Sequence, residues 1–188
     1  MIDFFRSQSP GKQTGGLYAL LAYGSWGFLP IYWKLLYSTS ALEILAHRML
    51  WSMVFVFGLL AVQKRLNEIL ELFKTSKNIW LLLFTAFLLG CNWFVYIYAV
   101  NTDQVIEASL GYYINPLLNV LMGFIFLRER LNFLQSMALV LAAIGVLNFL
   151  WDFGSLPWIA LSLSSTFAIY GLVRKVILVK PLVGLLIE

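Results

Sequence analysis

Residues 107–129 read EASLGYYINPLLNVLMGFIFLRE. About twenty residues in a row are apolar or small, enough to cross a hydrocarbon core roughly 30 Å thick. Glu107, Gly111, Asn115, Asn119 and Gly123 recur at a four-residue spacing. Each such step along an α-helix drifts only about 40°, so the five make one slanted polar and small stripe. Pro116 sits inside the stripe, where it removes one backbone donor and frees a carbonyl. In lipid that carbonyl needs a partner within the protein or in a wet cavity. Arg128 and Arg130 close the span with positive charge. The stretch predicts a membrane helix whose stripe faces other helices or a path between them.

Composition points the same way. The chain is 61% hydrophobic and 12% charged with a mean hydropathy of +0.85, against roughly 25% charged residues in soluble domains. The apolar residues come in blocks of about twenty separated by short polar punctuation, the transmembrane pattern. The net charge of +4 is spread between blocks and forms no basic patch, which argues against nucleic acid. Cys91 is the single cysteine, so an intrachain disulfide and a cysteine metal cluster are excluded. No HExxH, GxSxG or paired-Asp pattern occurs; enzyme chemistry, cofactor and metal are not expected. A channel is disfavoured, since no ring of like charges or filter loop is visible.

Further spans are predicted at 15–37, 41–62, 78–100, 132–151 and 155–173, giving six with the opening stretch. Residues 1–14 read as a cytoplasmic tail without a cleavable signal, and 181–188 as the start of a seventh span. Between the second and third spans, Leu66, Ile69, Leu70 and Phe73 fall on one side of an amphipathic connection suited to the membrane surface. With the N-terminal side inside, Arg6, Lys12, Lys64, Arg65, Lys74, Lys77, Arg128, Arg130, Arg174, Lys175 and Lys180 are all internal. These are eleven of the thirteen Lys and Arg. The external loops 38–40, 101–104 and 152–154 carry Asp103 and Asp152 and no Lys or Arg. Basic residues are retained on the cytoplasmic side, so a multi-pass protein of a bacterial cytoplasmic membrane with a cytoplasmic N-terminus is expected.

Ionisable and amide groups inside spans default to functional candidates. Glu43, His47 and Arg48 stand together in EILAHRMLWS, with Glu43 and His47 one turn apart and able to pair. Snorkelling to the headgroups is the competing explanation for this cluster. Asn92 and Tyr96 share a face of the third span, where interhelical hydrogen bonding competes with a binding role. Asn115 and Asn119 flank a proline and could line a cavity. Glu107 is a candidate for solute or coupling chemistry, or a carboxylate meeting the dipole of its own helix. The substrate-path candidates are therefore Arg48, His47, Asn92, Tyr96, Glu107, Asn115 and Asn119, while Gly24, Gly27 and Gly90 read as structural.

EILAHRMLWS, the Asn92-Trp93 helix ending in AVN, EASLGYYINPLLNVLMGFIFLRERL and FGSLPWIALSLSSTFAIYGLVRK together resemble the RarD-type branch of the EamA drug/metabolite transporter superfamily. The resemblance runs from residue 15 to residue 188. It implies an all-α fold of ten helices built from two five-helix repeats of opposite topology, with export of a small metabolite or drug by alternating access. The branch carries a chloramphenicol-sensitivity label. On this pattern 15–151 form the first repeat and 155–188 begin the second, so the chain is expected to stop four helices short. Its partners would be the lipid bilayer, a small-molecule solute and a coupling proton. The alternative is a non-transporting fragment or packing subunit whose polar stripe only joins helices.

Overall fold

The computed structural model describes residues 12–73, 76–154, 156–177 and 179–188. Among them every regular element is helical, as apolar blocks in lipid require, because a helix satisfies its own backbone polar groups. The helices are α1 (Lys12–Leu35), α2 (Ala41–Val62), α3 (Asn67–Phe73), α4 (Ser76–Asn101), α5 (Val105–Leu127), α6 (Phe133–Phe153), α7 (Trp158–Val176) and α8 (Pro181–Ile187). Five of them, α2, α4, α5, α6 and α7, are long and apolar enough to cross a membrane. α1 has the length, at 24 residues. Its apolar run is diluted by Tyr18, Tyr23, Ser25, Trp26 and Pro30, so it falls outside that group.

The chain divides into two compact units, residues 1–37 and 38–188. The first holds α1, where Ser25 Oγ donates to Leu21 O at 2.7 Å and Tyr23 meets Trp26 edge to face. The second is organised around α7, which packs most extensively on α5 and then on α4. α2 lies against α4 and α8, and α6 lies against α5. Leu110, Ile114 and Ala160 form one buried cluster between α5 and α7, with Val146 and Leu150 of α6 at its edge. A second cluster joins Leu72, Leu82, Ile177 and Val183, drawn from α3, α4 and the α7–α8 region. Outside these contacts the surface is apolar: the membrane-length window of α6 has none of its residues buried. Such a surface suits lipid, which is as apolar as the side chains themselves.

Local signals explain the ends. Asn132 caps α6, accepting from Gln135 N at 2.8 Å while its own N–H donates to Gln135 Oε1 at 3.0 Å. Ser40 Oγ accepts from Glu43 N to start α2. α5 ends where Arg128 turns left-handed (φ 54°) and its N–H reaches Gly123 O.

One boundary is corrected. The span expected at 155–173 forms at Trp158–Val176. Pro157 occupies its N-cap, and Arg174 and Lys175 continue the helix because cations are favourable at its negative C-terminal end. In the amphipathic connection Leu66 is exposed and Leu72 is buried, packed with Leu82 of α4, while the side chains of Leu70 and Phe73 lie outside the described residues. The expected tail lies outside the described residues except for its last three positions.

Candidate functional site

The polar stripe of α5 faces α7. Glu107, 8% exposed, accepts a hydrogen bond at its Oε1 from Ile159 N at 2.8 Å. Ile159 is the second residue of α7, whose N-cap Pro157 supplies no side-chain bond. The first donors of a helix have no internal partner and carry partial positive charge, so a carboxylate from a neighbouring helix fits there. The dipole that Glu107 meets is thus that of α7. One turn on, a Cβ at Gly111 would lie 3.1 Å from both Ala160 O and Leu163 Cβ, so the absence of a side chain allows close approach. Gly90, by contrast, faces only the flexible end of Met49.

Asn92 joins α4 to the same helix. Its Nδ2 donates to Leu163 O at 2.8 Å and to Thr166 Oγ1 at 2.9 Å. Asn115 and Asn119 bond each other, Asn119 Nδ2 donating to Asn115 Oδ1 at 3.2 Å. Asn119 also borders a cleft of about 220 Å³ between α5 and α7, lined in part by Gly123, Gly171, Glu129 and Lys175. A Glu129–Lys175 ion pair rims it.

A different group forms on the α2–α4–α5 side. The Arg48 guanidinium lies 3.5 Å over the centroid of the Trp93 ring. Trp93 meets Tyr96 edge to face at 5.7 Å, and Tyr96 meets Tyr112 at 6.0 Å. The result is a run of three aromatic rings from α4 and α5 with one cation from α2 seated on it. Stacking holds the face of the guanidinium and leaves its N–H edge to bond a planar acceptor. Among the described residues no carboxylate pairs with Arg48. His47 is exposed and forms no ion pair with Glu43 among the described residues.

The candidates therefore separate. Arg48 and Tyr96 share the aromatic surface, Asn92 and Glu107 are occupied by α7, Asn115 and Asn119 lie along the α5 stripe, and His47 stands apart. Sequence reasoning passed over Trp93 and Tyr112 as site members. Their signal was the placement of Trp93 three residues before Tyr96 on one helical face. It also passed over Glu188, whose carboxylate is held by Thr85 and Tyr170. Seven helical residues before it are too few to show a phase.

Comparison with known proteins adds the family. The sequence profile of the EamA-like transporter family matches residues 13–151. Protein RarD of Salmonella typhi is 52% identical over 179 residues, covering 94% of this chain and 61% of that protein. Protein RarD of Escherichia coli K12 is 49% identical over 179 residues, covering 94% and 60%. The chloramphenicol-sensitive protein RarD of Pseudomonas aeruginosa is 32% identical over 185 residues, covering 93% and 60%. The chain spans about three-fifths of the length of these curated relatives. No solved structure matches. The membrane-length helices, the matched profile and the relatives agree on a multi-pass membrane protein of the RarD type, and the chain belongs to the EamA-like transporter family.

Proposed function

We propose that the protein is a secondary transporter exporting a small metabolite or drug by alternating access, and that the Arg48–Trp93–Tyr96–Tyr112 surface receives the solute. The observation that carries this is Arg48 stacked on Trp93 with no carboxylate partner among the described residues. A half-buried guanidinium in a membrane helix is costly without a functional or paired role. Seated on aromatic rings, it suits a small planar solute bearing a carboxylate or another strong acceptor oxygen. The chloramphenicol-sensitive name of one relative is compatible with a small aromatic solute rich in acceptor oxygens. α7 and α8 begin the second repeat in this reading, and transporters built from such repeats hold their solute at the interface between the two.

The packing explanation of the polar stripe is favoured for Asn92, Glu107 and Gly111, each of which is occupied by α7. They position the wall on which the aromatic surface stands.

The test is flux in proteoliposomes with benzoate, benzylamine and chloramphenicol as probes. Benzoate and chloramphenicol are expected to move and benzylamine not. Arg48→Ala should abolish flux, and Arg48→Lys should recover only part of it, since an ammonium cannot stack and bond in the same way. Equal flux from wild type and Arg48→Ala would remove Arg48 from the path.

A further inference from the structure

Besides Arg48 and Glu107, a third ionisable side chain is withdrawn from solvent at Glu188. Its side chain is 2% exposed. It follows Pro181 by seven residues, about 10 Å of helix, and its partners Thr85 and Tyr170 stand in the membrane-length segments Ile79–Asn101 and Trp158–Val176. From α4, Thr85 Oγ1 donates to Glu188 Oε1 at 2.7 Å. From α7, Tyr170 OH donates to Oε2 at 3.0 Å, and Arg174 Nε stands 3.5 Å from Oε1. α2 also packs on α8, but its charged residues Glu43, His47 and Arg48 lie at its opposite end.

Three features of this seat go beyond a structural ion pair. At 3.5 Å the guanidinium is outside the range of a tight charge-assisted bond. Its Nη1 is buried with no partner, so Arg174 is not matched to the carboxylate as a fork. Thr85 Oγ1 also lies 2.9 Å from Leu82 O. A hydroxyl has one proton and can accept as well. While Glu188 is ionised, Thr85 donates to it. Once Glu188 is protonated, Thr85 can turn its proton to Leu82 O and accept the new O–H. Tyr170 donates to the remaining oxygen in both states. The two hydroxyls therefore satisfy both the carboxylate and the carboxylic acid, while Arg174 keeps its counter-charge only in the first.

We propose that Glu188 is a proton-binding site within the membrane and that its proton drives the solute movement proposed above. The coupling role rests on that transport reading; the proton site does not. One proton from water converts the carboxylate to the neutral acid and ends its attraction for Arg174, which loosens the contact between α7 and α8.

The experiment is an infrared pH titration of the protein in lipid nanodiscs, with proteoliposome flux alongside. A protonated-carboxyl band should grow as pH falls and be missing in Glu188→Gln. Tyr170→Phe, which removes the donor to Oε2, should shift the frequency of that band. Should Glu188→Gln fail to insert, Tyr170→Phe carries the test alone, and an unshifted band overturns the site. Absence of a Glu188-dependent band over the whole pH range in which the protein stays folded also overturns it. In flux, Glu188→Gln should keep benzoate counterflow and lose flux driven by a pH gradient; unchanged gradient-driven flux overturns the coupling role. A titrating band in a wild type that moves no solute supports the proton site and counts against the transport reading.

Discussion

Glu107 of α5 caps α7 from outside, its Oε1 accepting the N–H of Ile159 at 2.8 Å across 52 positions of sequence. The bond satisfies a donor that Pro157 leaves open, and places a carboxylate at the positive end of the helix. Glu107→Ala should therefore strand a buried N–H, at a cost of about 1–3 kcal/mol. Glu107→Gln keeps an acceptor and should lose only the charge contribution, about 0.3–1 kcal/mol. Thermal unfolding in detergent, followed by thiol-reactive dye at Cys91, should rank wild type above Gln above Ala. Equal stability of the three would mean that the cap carries no weight.

The same interface sets the second expectation. A methyl at Gly111 would meet the Ala160 carbonyl, a backbone atom that cannot move without moving α7. Gly111→Ala should destabilise by about 1–3 kcal/mol through overpacking. Gly145 in α6 has open space where its Cβ would stand, so Gly145→Ala should be neutral or stabilising. Unfolding of both variants beside wild type gives the comparison, and a neutral Gly111→Ala would mean that the two helices can separate freely.

How much of this was legible in the sequence follows from what each pattern encodes. A four-residue repeat of Glu107, Gly111, Asn115 and Asn119 says that one face of a helix differs from the rest. It does not say which helix covers that face, because the periodicity is internal to the segment. Apolar blocks placed α2, α4, α5 and α6 closely, since length and hydropathy alone decide them. The start of α7 was displaced because the turn chemistry at Pro157 is weaker in a hydropathy reading than the apolar run around it. Arg48 was visible as a charge out of place, but the aromatic ring beneath it belongs to a residue 45 positions away. Pairing at that distance is a property of helix packing, which a single sequence does not print.

At the α2–α3 end, Glu68 gathers two cations. Arg65 Nε and Nη2 donate to its carboxylate at 3.0 Å, and Lys180 Nζ donates to Oε1 at 2.8 Å. The hydrogen bond from Arg65, and then that from Lys180, hold the Glu68 carboxyl below the usual carboxylate range. A lowered folded-state value means that the contribution is complete above the ordinary carboxylate pKa and is lost as pH falls through the lowered one. Amide exchange over α3 should accelerate below that point in wild type, and already be fast at neutral pH in Glu68→Gln. Because Arg65 and Glu68 are only half-buried and Lys180 is exposed, added salt should reduce the difference. A pH-independent exchange pattern would show that the pair does not hold α3.

The charge distribution leads to the last expectation, the orientation of the whole bundle. With six spans of alternating direction, all Lys and Arg between them would fall on one side, among them Arg128, Arg130, Arg174, Lys175 and Lys180 near the α5–α6 and α7–α8 turns. The α4–α5 turn holds Asp103 and no Lys or Arg. We propose on this ground that the N-terminus and those basic turns are cytoplasmic, since basic residues near short loops resist translocation. In a Cys91→Ser background, Thr102→Cys and Leu156→Cys should react with an impermeant maleimide added to intact cells. Arg130→Cys should react only after permeabilisation. Thr102, Leu156 and Arg130 are all exposed positions, so failure to label reports sidedness and not burial. One removed charge at Arg130 leaves the other basic residues of that side in place and should not invert the protein. Labelling of Arg130→Cys in intact cells, with Thr102→Cys and Leu156→Cys silent, would reverse the orientation and place the outer-half cation Arg48 on the cytoplasmic side.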